Sequence, residues 1–477
     1  MNLSFYKELE LHFQSDYSII FVISQDEEEA VLEIEAVCMK LHLNLLKPRR
    51  PGNIMPMHKQ MEASLTSGSV TLFTDIHRVL SIPDVLMLLS DFDRDKKSIG
   101  RAVVVAPFAE IPPELERISA VLHHPLPDIE QLRPVLDSVC VKTKVLLVED
   151  DIDALLRVGK GLIKSEAQRA FTRALIAYPE DAVSARKSVE QDKRRALARS
   201  SVLEFVDDKI NFNDVGGMDH LKKWLGARRK AFLKEAREFG LPVPKGMLLM
   251  GIQGCGKSLA AKAVGGFWEL PVVRLDIFSV FGHRDSEQVL NRALLTSEAM
   301  SPCILWIDEI EKGFDAGGDG KSSRLLGTLI TWLQEKKSEV FVVATANKVE
   351  SLPPELARKG RFDEIFFVDL PDPAERKDIF KLHLLKRNLE ISSFDLNELV
   401  ARSEKMTGSE IEQIVIAGMY TAFERGEKTS QQDLTAALKT TVTLYETFEK
   451  EIKSLREWAR THARIASSDR SRLDLFK

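Results

Sequence analysis

Gly251-Ile252-Gln253-Gly254-Cys255-Gly256-Lys257-Ser258 lies between an apolar run, Met247-Leu248-Leu249-Met250, and a helix-favouring run, Leu259-Ala260-Ala261-Lys262-Ala263-Val264. The octapeptide fits Gly-x-x-x-x-Gly-Lys-Ser/Thr, and strand, glycine-rich loop, helix is the order this pattern requires. Its glycines let backbone N–H groups approach a polyphosphate closely, and the N-terminus of the next helix adds a favourable dipole. Lys257 is expected on the β and γ phosphates and Ser258 on Mg²⁺. A glycine-rich turn without a ligand is the bland alternative, and the flanking pattern disfavours it. The segment from Gly251 to Leu259 thus predicts a nucleotide cradle at a strand end, and with it an α/β fold.

Working outward, Cys303-Ile304-Leu305-Trp306-Ile307 is an all-apolar run ending in Asp308-Glu309. Such a run suits a central parallel strand covered on both faces. Asp308 at its tip is expected to hold Mg²⁺ through water, and Glu309 to orient or activate an attacking water. Two acids at a strand end are often only a solvated turn, but the loop upstream favours the catalytic reading. A third strand, Val340-Phe341-Val342-Val343-Ala344-Thr345, runs into Ala346-Asn347, whose amide could bond both the water and the γ-phosphate. Leu356-Ala357-Arg358-Lys359-Gly360-Arg361-Phe362-Asp363 follows. An arginine brought to a transferring phosphoryl group stabilises the developing charge, worth on the order of 10³–10⁵ in rate.

On these motifs residues 211 to 440 resemble the ATPase module of the AAA family. The resemblance includes Asp214-Val215-Gly216-Gly217 ahead of the module, the phosphate loop, Asp308-Glu309, Asn347 as a sensor and Arg358/Arg361 as a finger pair. It implies a P-loop ATPase domain with a helical lid, ATP and Mg²⁺ as ligands, and a homo-oligomeric ring, usually of six. In such a ring the arginines reach the neighbouring subunit's nucleotide. His383 matches a position near the adenosine, and Gly408-Ser409 the start of the lid helix against the nucleotide. The whole chain, including Trp306-Ile307-Asp308-Glu309-Ile310-Glu311-Lys312, resembles more closely an AAA family encoded in cyanobacteria, other bacteria and some algal chloroplast genomes as a hypothetical chloroplast reading frame.

A GTPase is the nearest enzymatic rival. Asn347-Lys348-Val349-Glu350 approaches the guanine-reading Asn-Lys-x-Asp but ends in Glu, and Asp308 is followed three residues later by Glu311 rather than Gly. The twin arginines have no part in that scheme. A protease is disfavoured because His-Glu-x-x-His is absent.

The 477 residues suffice for two to four domains, and 44% hydrophobic with 29% charged residues is an ordinary globular composition. Net charge is −5, so no global field attracts nucleic acid. Basic runs such as Lys193-Arg194-Arg195 read as solvated helix faces. Cys38, Cys140, Cys255 and Cys303 lack metal-ligand spacing. With no signal-peptide layout and no apolar stretch near ~18 residues, the chain reads as cytoplasmic, in a bacterial cytosol or a plastid stroma. Cys255, at a helix N-terminus, is a candidate for a lowered thiol pKa.

The first half reads as a degenerate copy of the second. Val103-Val104-Val105-Ala106-Pro107 followed by Ile111-Pro112-Pro113-Glu114-Leu115 echoes Val342-Val343-Ala344-Thr345 followed by Leu352-Pro353-Pro354-Glu355-Leu356. Leu126-Pro127-Asp128 echoes Leu370-Pro371-Asp372, and Lys164-Ser165-Glu166 echoes Gly408-Ser409-Glu410. Thr71-Leu72-Phe73-Thr74-Asp75-Ile76 stands where the Asp308-Glu309 strand stands. The chemistry is missing, because Ile19-Ile20-Phe21-Val22-Ile23-Ser24 leads into Gln25-Asp26-Glu27-Glu28-Glu29, whose acids repel a triphosphate. An unrelated α/β domain with chance echoes is the alternative. The expected layout is a degenerate, nucleotide-free ATPase-like α/β domain over 1–145, a helical lid and linker over 146–200, the large ATPase domain over 211–375, its lid over 376–440 and a helical tail over 441–477. Residues 1–180 are the expected surface for a protein partner. From Ser184 to Asn211 a helix and then an extended linker are expected.

Motors of this resemblance that thread polymers carry an aromatic on a pore loop. The candidate is Phe281, in Val280-Phe281-Gly282, although His283-Arg284-Asp285-Ser286-Glu287 departs from the usual Gly-x-Ser-Glu by two extra residues, and a core or subunit-interface role for Phe281 is an equal alternative. A second loop could be Asp315-Ala316-Gly317-Gly318-Asp319-Gly320-Lys321. In the tail, Phe448, Ile452, Leu455 and Trp458 form one helical stripe. The reading is a protein-remodelling ring ATPase, with a nucleotide-switched regulatory scaffold as the alternative.

Overall fold

A computed structural model describes residues 4–15, 17–47, 69–74, 76, 80, 82–94, 100–107, 111–197, 202–206, 210, 212–232, 234–315, 321–350, 352–358 and 360–467. The chain divides into two compact units, Met1–Lys193 and Arg194–Lys477.

The second unit is built on strands β6 (Leu203–Phe205), β7 (Gly246–Gly251), β8 (Val272–Leu275), β9 (Cys303–Ile307), β10 (Val340–Ala346), β11 (Glu364–Val368) and β12 (Arg464–Ile465). Their order is β12-β11-β7-β10-β9-β8-β6, and every neighbouring pair is parallel except β6 with β8. β7, β9 and β10 are buried along their whole length. Successive side chains point to opposite faces. Leu248, Met250, Leu305, Ile307, Val342 and Ala344 therefore enter one core, while Met247, Leu249, Ile304, Trp306, Phe341 and Val343 enter the other. Covering both faces is what demands continuous apolar runs in place of alternation.

The lid of this unit comprises the helices Pro373–Lys386, Leu396–Arg402, Gly408–Glu424 and Gln431–Thr440, closed on their own core of Phe380, Leu384, Leu399, Ile411, Ile414, Val415 and Leu434. Three of them open on capping boxes: Asp372 with Glu375, Thr407 with Glu410, and Ser430 with Asp433. Each such cap is worth about 1 kcal/mol.

Two segments add to the expected layout. The link holds a helix, Ala182–Leu197, but its continuation is a strand, because β6 pairs antiparallel with β8. The tail forms the helix Glu449–His462, which buries Ile452, Leu455 and Ala459 in the first core, with Trp458 packed partly against it. Phe448 sits at the helix N-cap, 47% exposed, so the buried stripe starts at Ile452. Arg456 clamps the helix to Asp369 at 2.8 Å, and the chain then adds β12 beside β11.

The first unit holds β1 (Ile19–Ile23), β2 (Asn44–Leu46), β3 (Ser69–Thr74), β4 (Arg101–Ala106) and β5 (Ser119–His123), all parallel, in the order β2-β3-β4-β1-β5. Counted from the first strand of each series, this is the order of β8-β9-β10-β7-β11. The echoes between the halves fall on matching strands, β4 on β10 and β3 on β9. They extend to the helix Ile129–Thr143, which opens on the capping box Asp128 with Gln131 as Pro373–Lys386 opens on Asp372 with Glu375.

After β1 the acids have a structural task beyond charge repulsion. Asp26, 5% exposed, caps the helix Glu27–Lys40 by accepting the Glu29 N–H at 3.3 Å. Its other oxygen accepts the backbone N–H of Lys164 at 3.0 Å, where the helix Lys164–Ala177 begins. The Lys164 ammonium pairs with Glu29, and the Ser24 hydroxyl donates to the Asp26 carbonyl at 2.8 Å. A carboxylate of the chain itself thus occupies the helix N-terminus where a bound anion would be stabilised. No helix among the described residues is long and apolar enough to cross a membrane.

Candidate functional site

β7 ends at Gly251, and residues 252–256 turn into the helix Lys257–Trp268. Ile252 is buried and anchors the loop, its N–H donating to the Val368 carbonyl at 3.1 Å, while Gln253 is exposed. Gly254 has φ +77°, and a Cβ there would stand 3.1 Å from Thr407 Oγ1 and 3.2 Å from Ser409 Oγ. The lid meets the loop at this point, where the Ser409 N–H donates to the Gly254 carbonyl at 3.1 Å and Gly408 lies alongside. Gly216 and Gly217 close the same corner. Gly217, at φ +66°, leaves no room for a side chain, since a Cβ would fall 1.8 Å from Glu375 Oε1. Glu375 also accepts from the Met218 N–H and the Ser467 hydroxyl. One helical face carries Glu375, Ile379 and, a turn on, His383. The imidazole of His383 is lowered by burial, 3.5 Å from Glu412. Gly216, Gly217, the loop and Gly408, distant in sequence, therefore meet around Glu375 and Ile379, with His383 a turn further along that helix. Leu259 packs partly into the second core, and Gly256, at φ +89°, is the N-cap of the helix Lys257–Trp268.

Lys257 is 6% exposed and donates to the carbonyls of Gly251 at 2.9 Å and Ile252 at 2.8 Å. Burial lowers its pKa from the ordinary 10.5 to about 8. Ser258 Oγ donates to Asp308 Oδ1 at 3.0 Å. A hydroxyl and a carboxylate oxygen so placed suit Mg²⁺, which takes oxygen ligands and fills its shell with water and phosphate.

Glu309 follows with φ +48°, a left-handed backbone that costs a non-glycine residue about 1–2 kcal/mol. Surrounding bonds fix it: its N–H donates to Thr345 Oγ1 at 2.9 Å and its carbonyl accepts the Lys312 N–H at 2.9 Å. Its carboxylate accepts from Asn347 Nδ2 at 3.0 Å and pairs with the Lys312 ammonium.

Two residues here carry structure that their motifs do not announce. Thr345, 1% exposed, donates to Asp308 Oδ1 at 2.6 Å while accepting from the Glu309 N–H, so one hydroxyl spaces the two acids. Glu311, 2% exposed, accepts the Asn347 N–H at 2.9 Å, and burial raises its pKa. The signal for Thr345 was its place two residues before Asn347, but its role depends on the β9–β10 register, in which Ile307 faces Ala344.

Other candidates stand apart. Arg358 is exposed, and Arg361 donates to the Glu355 carbonyl. Neither makes a hydrogen bond or ion pair with Lys257, Asp308, Glu309 or Asn347 among the described residues. The pKa of Cys255 is pushed up to about 12, chiefly by burial, which does not support the candidate reading of a lowered thiol. Phe281 lies on a helix, Ile277–Gly282, half-buried and stacked over Gly313, where a Cβ would come within 2.6 Å of its ring. The solvent-facing aromatic of that helix is Phe278, 63% exposed. In the second loop candidate, residues 316–320 lie outside the described residues.

Comparison with known proteins follows the same division. Residues 247–370 match the family described as "ATPase family associated with various cellular activities (AAA)", and residues 5–124 match "SpoVK-like AAA ATPase, N-terminal domain". The chain is 36% identical to the uncharacterized AAA domain-containing protein ycf46 of Guillardia theta, over 96% of this chain and 95% of the relative. It is 40% identical to the protein of that name from Pyropia yezoensis, over 78% and 81%. A proteasome-activating nucleotidase of Methanococcus vannielii is 33% identical over 48% of this chain and 59% of its own length. With nearly full-length similarity on top of the matched module, the chain belongs to the AAA ATPase family, among the AAA domain-containing proteins that carry the name ycf46.

Proposed function

We propose that the chain is a Mg²⁺-dependent ATP hydrolase that works as a ring of like subunits to remodel a protein partner. The observation that carries this is a chain of contacts in which Ser258, beside Lys257, bonds Asp308, Thr345 joins Asp308 to Glu309, and Asn347 bonds Glu309. Lys257 and the loop amides bind the phosphates, and Ser258 and Asp308 would hold Mg²⁺, which would supply neutralising charge to the phosphate oxygens. Glu309 takes the proton of a water positioned by Asn347. The water oxygen bonds to the γ-phosphorus, the bond to the bridging oxygen breaks, and ADP and phosphate leave. His383 and the Gly216–Gly217 corner lie where the base and ribose would rest.

The arginines supply the argument for a ring. β11 is parallel to β7 with Glu364 beside Met247 and Val368 beside Gly251. Arg361 precedes β11, next to Asp363, which donates its N–H to Gly246. It thus stands at the end of the sheet opposite its own phosphate loop, about 17 Å away at ~3.3 Å per residue. An arginine so placed serves another copy's nucleotide better than its own. The similarity to a nucleotidase named for activating a proteasome supports a protein as the object of the work, and residues 1–180 are the surface we assign to recognising it.

One observation favours the scaffold alternative: Phe281, the expected gripping residue, is packed inward. Phe278 is then the side chain that decides. In a threading motor Phe278→Ala uncouples hydrolysis from work on a partner, and in a scaffold it changes neither.

The test is the solution mass of Glu309→Gln with ATP and Mg²⁺ beside its turnover. The variant should retain ATP, hydrolyse none and shift to a particle of about six subunits. Normal turnover would overturn the assignment of Glu309, and a monomer under both conditions would overturn the ring.

A further inference from the structure

Both carboxylate oxygens of Glu309 are engaged. Asn347 Nδ2 holds Oε1 at 3.0 Å, and the Lys312 ammonium holds Oε2. The left-handed backbone of Glu309 makes the second contact possible. It turns the chain so that the Lys312 N–H meets the Glu309 carbonyl at 2.9 Å and the two side chains, three residues apart, come together at the start of the short helix Lys312–Asp315. The hydrogen bond to Glu309 is also what raises the pKa of Lys312, so its charge is secure at neutral pH.

A general base needs a lone pair aimed at the proton it will take. Here the Lys312 ammonium occupies a lone pair of Oε2 and the Asn347 amide one of Oε1, so both oxygens are turned to partners within the chain. Holding the fold together is a poor explanation for this pair. Lys312 keeps 57% of its side chain exposed, and an exposed ion pair contributes only about 0–1 kcal/mol to stability. That same weakness makes the contact easy to release.

We propose that Lys312 is a brake on hydrolysis. It holds the Glu309 carboxylate away from the attacking water, and turnover proceeds when the ammonium withdraws. Lys312 acts through Glu309 and is a positioning residue, not a catalytic one. The proposal rests on Glu309 being the base, as set out above.

The experiment compares full-length wild type, Lys312→Met, Lys312→Arg and Glu309→Gln for ATP turnover, KM for ATP and thermal midpoint. Lys312→Met should raise kcat roughly two- to fivefold, the range an exposed ion pair spans. Its KM and midpoint should match wild type, and Lys312→Arg should keep the wild-type rate. A merely structural lysine would move the midpoint and leave kcat unraised. If Glu309→Gln is inactive while Lys312→Met is no faster than wild type, the brake is refuted and the reading of Glu309 stands. A slower Lys312→Met would mean the ammonium assists the reaction, which also refutes the brake. If Glu309→Gln turns over normally, the assignment of the base fails, and the brake with it.

Discussion

Lys257 carries a charge where the surroundings resist it. Its ammonium is enclosed and donates to two loop carbonyls, and burial brings its pKa down to about 8. The sign follows from comparison with the unfolded value of 10.5. Between those values the unfolded chain holds more protons, so this group's burial penalty fades, and stability rises, as pH climbs from 8 toward 10.5. ATP binding should run the other way. Phosphates stabilise the ammonium and raise its pKa, so affinity should fall as pH rises through 8 into 9. Binding near pH 8 should take up about half a proton per site. Calorimetry in buffers of differing ionisation enthalpy reads this directly, and zero uptake would mean the lysine was already fully charged without nucleotide. Lys257, Ser258, Asp308, Glu309 and Asn347 could be picked out of the sequence because each closes a motif at a strand end. Thr345 and Glu311 could not, because what they touch depends on strand register and backbone turn, which motif spacing leaves open. For Cys255 the position at a helix N-terminus was legible, and the surroundings that raise its pKa were not.

Among the elements, β11 matters most to the proposed chemistry. Its parallel register with β7 sends residues 360–363 to the far end of the sheet, where Lys245 donates to the Gly360 carbonyl at 2.8 Å and to Asp363. Arg361→Ala should therefore leave the phosphate loop of its own chain untouched. The expected outcome is ATP affinity within about twofold of wild type, measured on dilute protein, and turnover lower by 10³ or so at concentrations that support assembly, in keeping with arginines that serve a phosphoryl transfer. Affinity and turnover falling together would indicate an arginine acting within its own site or a damaged fold. The long central strands were legible because burial on both faces leaves unbroken apolar runs. β6 and β12 were not, since three and two residues carry no periodicity and form strands only because an edge of the sheet is open to them. The Ile277–Gly282 helix shows the same limit: an aromatic before a glycine fits a loop motif, but the helix leaves Phe281 half-buried against Gly313 and Phe278 63% exposed.

Across the whole molecule, the five-stranded sheet repeats the order of β8-β9-β10-β7-β11 within the seven-stranded one, and the loops after β1 and β7 differ. In one, Gly254 leaves space and the lid helix meets it through Ser409. In the other, Asp26 fills the helix N-terminus and binds the start of the Lys164–Ala177 helix itself. The repeat was readable from short echoes because the same strand order keeps the same segments buried in both halves. The absence of the Gly-Lys pair was readable in the sequence, but the seat of the Asp26 carboxylate required its contact with Lys164. A unit that holds its own anion should have no call for another, so the full chain should bind one ATP, not two. Equilibrium dialysis with saturating ATP should give a stoichiometry near one per chain for wild type and near zero for Lys257→Ala. Wild type binding two and Lys257→Ala binding one would mean the first unit takes nucleotide despite Asp26. Asp26→Ala supplies the physical cause. It removes an N-cap worth about 1 kcal/mol and the acceptor for the Lys164 N–H. Amide exchange at the start of the Lys164–Ala177 helix should therefore quicken, while Asp26→Asn, which keeps an acceptor oxygen, should lose less. Equal exchange in all three proteins would mean that the carboxylate does not hold that helix, and the first unit's lack of nucleotide would then need a different origin.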